Sequence, residues 1–272
     1  MKTDSIFLKG ASHLVCEDYA IARTTPDGDA YAIVADGCSS GYRSDVAARI
    51  MAMMAEKLLQ EDLRFFMEAS PLTVNHIFLE HLKIVWEHEL RSMFDDPMTL
   101  LATLVVLMTR NGQARVMMFG DGGVFFHAAS GWTSHVVSFS QSAPRYPAYF
   151  FDEKLTRRYD EMFKDQLMTY AFGPSKIAQR QKNVTDPSVA FGYVSDLSLE
   201  VIDTVIVSSD GMGTFNDSPN DESLPQGAIG ELIDIKTYTG DFLRRSVLFS
   251  TEKLAKRGIL HDDDIGLAGI HV

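Results

Sequence analysis

Three apolar runs in this chain end the same way, on an aspartate followed by glycine. Residues 31–37 read Tyr-Ala-Ile-Val-Ala-Asp-Gly, 116–122 read Val-Met-Met-Phe-Gly-Asp-Gly, and 205–211 read Val-Ile-Val-Ser-Ser-Asp-Gly. A short β-branched and apolar run predicts a buried strand, and Asp-Gly stops it with residues able to turn. The acidic cluster Asp262-Asp263-Asp264 opens a fourth such run at 265–270. One Asp-Gly alone is most simply a hairpin turn. The repeated pattern is more demanding, because antiparallel strands can gather their ends at one rim. Carboxylates collected there repel unless a cation or shared protons compensate. Hard oxygen ligands without a matching His or Cys set favour magnesium or manganese over a structural zinc site.

The segments around these runs set the rest of the architecture. Residues 19–23 and 30–35 predict a hairpin across Pro26-Asp27-Gly28-Asp29, whose proline and glycine supply a fixed φ and a permissive one. Apolar residues at helical spacing predict a helix from Ser44, as N-cap, to about Gln60, and a second over 73–93. Residues 100–109, 114–119 and 124–128, separated by Arg110-Asn111-Gly112 and Gly120-Asp121-Gly122-Gly123, read as a β-meander that 133–137 extends. The prolines and charges of 138–186 predict loops and short helices. Strands at 203–208 and 265–270 flank a helix over 241–257 that Gly258 closes. No linker, repeat or low-complexity tract divides the chain, so residues 1–272 are expected to form one α+β domain: two antiparallel sheets in a central sandwich, flanked by helices.

Composition narrows the function classes. The 272 residues are 46% hydrophobic and 23% charged, an ordinary globular profile. The longest strongly apolar run, residues 100–108, is far short of the ~20 residues that cross a bilayer. A formal charge of −12 repels nucleic acid and anionic membranes, so a phosphate-rich partner needs a local cationic device such as bound metal. Residues 1–4 carry an early acid and no signal-like apolar stretch, and the two cysteines, Cys16 and Cys38, make no disulfide framework. A cytoplasmic protein with free thiols is the expectation.

Taken with Glu17-Asp18 near the start, the motifs Asp36-Gly37, Gly120-Asp121, Ser209-Asp210-Gly211 and Asp263-Asp264-Ile265 resemble, in order and context, the PPM-type (type 2C) metal-dependent serine/threonine protein phosphatases. The resemblance covers nearly the whole chain and implies the sandwich fold and a centre of two Mn2+ or Mg2+ ions. It implies that Asp36 bridges the ions, that Asp210 and Asp263 complete one, and that Glu17 with the Gly37 carbonyl serves the other. Asp121 falls where the family can bind a third ion. Asp18 and Asp264 match positions beside the ligands. The implied chemistry is in-line attack on a phosphomonoester by a water held between the ions, with Asp36 and Asp210 acting through that water. The implied substrate is a protein carrying phosphoserine or phosphothreonine, with a regulatory partner also compatible.

The chain departs from the family pattern at three places. His13 stands four residues before Glu17, where many members carry a phosphate-gripping arginine, so His13 is the candidate phosphate ligand and Lys9, Arg43 and Arg145 are substitutes. Cys38 stands where eukaryotic members have a proton-donating histidine. Gly122-Gly123 replaces a serine and an arginine. Those departures keep a second reading open, a catalytically weak or inactive regulatory module on the same fold. A cysteine-phosphatase loop at Cys38-Ser-Ser-Gly-Tyr-Arg43 fails on spacing, with four intervening residues instead of five. His81 and His88 lack a zinc-helix spacing, and Thr103 reads as ordinary strand threonine.

Overall fold

The structure, a computed structural model, describes residues 1–41, 43–172, 178–184, 191–216 and 224–272. Its strands are β1 (Lys2–Leu8), β2 (Asp18–Thr24), β3 (Ala30–Asp36), β4 (Leu104–Arg110), β5 (Gln113–Phe119), β6 (Gly122–Ala128), β7 (Gly131–Phe139), β8 (Leu167–Phe172), β9 (Ala178–Asn183), β10 (Tyr193–Ser198), β11 (Ile202–Ser208), β12 (Phe215–Asn216), β13 (Leu260–His261) and β14 (Ile265–His271). Its helices are α1 (Ser44–Glu68), α2 (Val74–Val85), α3 (Glu153–Met162), α4 (Leu224–Ile233) and α5 (Phe242–Ala255).

Two antiparallel sheets dominate, one of seven strands in the order β1-β14-β11-β6-β7-β8-β9 and one of five in the order β10-β5-β4-β3-β2. The period-2 alternation of each strand builds the layers. On β3, Tyr31, Ile33 and Ala35 point to α1 and α2, while Ala30, Ala32 and Val34 point to the facing sheet. On the other sheet, Val205, Val207, Ala268 and Ile270 meet that inner face, while Ile206, Ile265 and Leu267 pack outward with Phe242, Leu243 and Val247 of α5. The result is the expected sandwich flanked by helices, an α+β architecture.

Several local expectations change. Residues 138–186 contain a 3-10 turn (Pro147–Phe151), α3 and the paired strands β8 and β9, which extend the larger sheet. The polar β9 sequence Ala-Gln-Arg-Gln-Lys-Asn hides an edge strand, since an edge needs no apolar alternation. Within that stretch, 173–177 and 185–186 lie outside the described residues. β1 was likewise unreadable, because of its residues only Ile6 is buried. Residues 97–100 form a 3-10 turn, so β4 begins at Leu104 and not at 100. The second helix ends at Val85 and passes into a π turn, Trp86–Leu90. The first runs on to Glu68 through a break at Asp62, whose carboxylate accepts from the Phe65 amide at 3.0 Å and restarts the helix. Ser44 is not the N-cap. Arg43, at φ 58°, holds that position, and the Ser44 hydroxyl faces the candidate site.

Candidate active site

The strand ends converge. A cleft of about 530 Å³ is lined by His13, Glu17, Asp36, Gly37, Asp121, Asp210 and Asp263, together with Cys38, Ser39, Ser40, Tyr146, Met212 and Ile229 among others. Asp18 and Asp264 are buried and do not line the cleft. Each acid is delivered by a different piece of chain. Asp36 ends β3 and Asp18 opens β2 directly opposite it in the antiparallel register. Asp210 starts a 3-10 turn beyond β11, Asp121 sits between β5 and β6, and Asp263 precedes β14.

Close backbone packing explains two of the glycines. A Cβ on Gly37 would lie 2.2 Å from the Ser44 carbonyl oxygen, and one on Gly211 would lie 1.7 Å from the Asp264 carbonyl oxygen. Both distances are far inside van der Waals contact, so glycine follows Asp36 and Asp210 because neighbouring backbones occupy the side-chain space.

Hydrogen bonds hold the acids in place. Ser44 donates its hydroxyl to Oε1 of Glu17. Ser209 donates to Oδ2 of Asp18 at 2.6 Å, and the Gly266 amide donates to Ser209 at 2.9 Å. Thr103 ties down Asp36 from both sides: its hydroxyl accepts from the Asp36 amide at 3.2 Å, and its amide donates to the Asp36 carbonyl at 2.8 Å. The Asp264 carboxylate accepts from the amides of Gly10 (2.6 Å) and Glu17, and lies 2.9 Å from Nδ1 of His13. It thereby fastens the loop between β1 and β2 to the start of β14. Asp263 is held through its amide, which donates to the Thr214 hydroxyl at 3.2 Å.

Electrostatically the site is a concentration of uncompensated negative charge. Burial, opposed in part by the Ser209 hydrogen bond, pushes the Asp18 carboxyl up to about 8. Burial and then the field of Asp210 push Asp121 up to about 7. Asp36 is raised well above the ordinary range by burial and then by Asp18, and Asp210 is raised by burial and then by Asp263. Asp36 stands opposite Asp18 in the strand register and feels the fields of Asp18, Asp210 and Asp121 together, so like charges crowd one point of the rim. Oδ1 of Asp18 is buried with no donor facing it. Among the described residues lining the cleft, none is lysine or arginine. The carboxylates of this cleft fit divalent cations of the Mg2+ or Mn2+ kind: hard oxygen donors, anionic and short of positive charge.

The other expected contributors fall as follows. Arg145 is buried, paired with Asp160 at 2.9 Å and seated over Phe150 and Tyr159 at 4.9 and 5.5 Å. It does not line the cleft. The Lys9 ammonium donates to the carbonyls of Gly10 (3.1 Å) and His13 (2.7 Å), bracing the same loop. Arg43 caps α1 through its backbone. Burial works against charge on His13, but its hydrogen bond to Asp264 and the fields of Asp264, Asp263 and Glu17 outweigh that and raise its pKa. Cys38 lies in the cleft with its thiol 3.1 Å from the Ser40 hydroxyl. His81 is a helix residue on the Ile77 carbonyl and against Phe65 and Phe66. His13, Glu17 and Asp264 also offer ligand atoms within 4.8 Å of one another, yet Asp264 already accepts from two amides and the His13 ring, leaving it a clamp on the loop.

Ser44, Ser209 and Thr214 escaped the sequence reading as site residues. A serine or threonine near an aspartate is too common to signal a hydrogen bond to a residue far along the chain. The one local cue was Ser209, inside the Ser-Asp-Gly motif.

Comparison with known proteins bears on the fold and the family. Solved structures of similar fold include the serine/threonine phosphatase Stp1 from Staphylococcus aureus (TM-score 0.60, 10% identity, covering 100% of this chain and 95% of that one). The S. agalactiae serine/threonine phosphatase also matches (TM-score 0.57, 12% identity, 100% and 99%). So does a structure of the PP2C phosphatase domain and a fragment of the regulatory domain of SpoIIE from Bacillus subtilis (TM-score 0.54, 13% identity, 99% and 63%). At these identities the likeness is one of fold. No curated protein matches the chain in sequence. Residues 10–232 match the family described as Protein phosphatase 2C, and the chain belongs to that family.

Proposed function

We propose that the chain is a single-domain phosphatase that hydrolyses phosphoserine or phosphothreonine in proteins at a centre of two Mn2+ or Mg2+ ions. The observation that carries this reading is the gathering of Glu17, Asp36, Asp121, Asp210 and Asp263 in one cleft that has no lysine or arginine among its described lining residues. Bound there, the ions would supply Lewis acidity that activates a water and offsets phosphate charge.

The chain's own groups have defined parts in this reading. Asp36 would be shared by both ions, Asp210 and Asp263 would serve one, and Glu17 with the Gly37 carbonyl the other. Asp121 faces the same cleft and would hold a third. Ser44 orients Glu17, Ser209 orients Asp18, and Thr103 fixes the Asp36 backbone. Asp18 and Asp264 work behind the ligands. With ligands on four separate segments, the sandwich supplies the preorganisation that phosphoryl transfer needs.

The test is phosphate release from a phosphothreonine peptide and an aryl phosphate, with Mn2+ and with chelator, for the wild type, Asp36→Asn and Asp210→Asn. Turnover that needs Mn2+ and drops at least ~100-fold in both variants is expected. The missing cationic side chain in the cleft favours one second reading, a catalytically weak regulatory module. Mn2+ binding without turnover on either substrate would establish that reading in its place.

A further inference from the structure

The position that carries a phosphate-gripping arginine in many relatives is built differently here. His13 is set between two consecutive carboxylates: its Nδ1 lies 2.9 Å from Oδ2 of Asp264, and its Nε2 lies 3.4 Å from Oδ1 of Asp263. The Asp264 carboxylate also accepts the amides of Gly10 and Glu17, so it is anchored at both oxygens. In the singly protonated ring with Nδ1 donating to Asp264, Nε2 would carry the lone pair beside Asp263, and an ion bound there would take the place of the second proton that the surrounding carboxylates favour. A carboxylate behind one ring nitrogen and a metal in front of the other is the usual setting of a ligating histidine.

The spacing agrees. Two donors on one ion, each at ~2.1 Å and at right angles, stand roughly 3.0 Å apart. The 3.4 Å between His13 Nε2 and Asp263 Oδ1 needs only a few tenths of an ångström of closure. His13 also lines the cleft with Asp263. An arginine could not do this, since guanidinium has no lone pair to give.

We propose that Nε2 of His13 is a ligand, together with Asp263, of a divalent ion in the cleft. The inference rests on the two-ion reading and alters it. A nitrogen donor in an otherwise oxygen set shifts preference from Mg2+ towards ions that accept imidazole, such as Mn2+ and Zn2+. Asp264 becomes the positioning residue for His13.

Pulsed electron paramagnetic resonance on the Mn2+-loaded full chain reads the bond directly, because a ligating imidazole imposes 14N modulation on the Mn2+ echo. The wild type should show it and His13→Gln should lose it, which also separates His13 from His261, two residues before Asp263. By calorimetry, Mn2+ affinity should fall about 10- to 100-fold in His13→Gln while Mg2+ affinity moves less. Thermal melts in chelator verify that the variant is folded, and Asp264→Asn tests the positioning role by the same echo. Wild-type chain that binds Mn2+ without 14N modulation, or modulation that survives in His13→Gln, overturns the inference alone. Unchanged Mn2+ affinity with weakened binding of inorganic phosphate in His13→Gln also overturns it and assigns the ring to gripping phosphate. Failure of the wild type to bind Mn2+ at all would overturn the two-ion reading along with it.

Discussion

Ser44 donates its hydroxyl to the carboxylate of Glu17, joining the first residue of α1 to the loop that leads into β2. The bond leaves Ser44 doing nothing for helix capping, since no side chain caps this end. Ser44→Ala should therefore change folding stability by less than about 1 kcal/mol, yet weaken Mn2+ binding about 10-fold by freeing Glu17. Parallel thermal melts in chelator and Mn2+ titrations separate the two effects. Equal loss in both would assign Ser44 to the fold.

Gly211 offers a sharper steric test. With the Asp264 carbonyl oxygen 1.7 Å from its missing Cβ, Gly211→Ala must push the Asp210 turn away from the start of β14. A loss of about 3 kcal/mol or more is expected, seen as a shifted denaturation midpoint. Gly213→Ala, where a Cβ meets nothing within 4 Å, should stay within about 0.5 kcal/mol and serves as its control.

The clustered acids give a pH dependence with a definite sign. Asp18 at about 8 and Asp121 at about 7 lie well above their unfolded values, and Asp36 and Asp210 are raised too. Between the unfolded and folded values the native chain binds more protons, so stability present at low pH is lost as pH rises through the folded values. Without metal, the melting temperature should fall from pH 6.8 to 8.3, and saturating Mn2+ should abolish or reverse that slope. A metal-free profile that is flat or rising across this window would contradict the charge arrangement.

Asp18→Asn sets the two states against each other. The variant keeps an acceptor for Ser209 but removes a buried charge beside Asp36. In chelator at pH 8 it should be more stable than the wild type, by about 1–2 kcal/mol, while its Mn2+ affinity should fall. Destabilisation in chelator would show that Asp18 is valued for its own hydrogen bonds.

Arg145, a plausible phosphate ligand from sequence, is tied to Asp160 and to two rings. Arg145→Met should cost about 2 kcal/mol of stability and leave the KM for aryl phosphate unchanged. A raised KM with unchanged stability would return it to the site.

How far the sequence could be read follows from what each feature depends on. β3, β5 and β11 were legible because burial on both faces leaves an apolar run, and Asp-Gly marks where each stops. The cleft acids Asp36, Asp121, Asp210 and Asp263 were legible from the same strand-end pattern, whereas Glu17 stood out only through the family resemblance. β1, β8 and β9 were not. β1 and β9 lie at the edges of the larger sheet, where pairing needs only backbone and polar residues suffice. The supports of the site, Ser44 on Glu17 and Asp264 on His13, join residues 27 and 251 positions apart, and nothing local announces such bonds.

The most direct measurement is a calorimetric titration of the chelator-treated chain with Mn2+, wild type beside Asp36→Asn, with both shown to be folded. Two ions per wild-type chain and loss of at least one from Asp36→Asn are predicted, because in the proposed centre both ions would share that carboxylate. Absence of Mn2+ binding to the wild type, or an Asp36→Asn isotherm that matches it, would contradict the account.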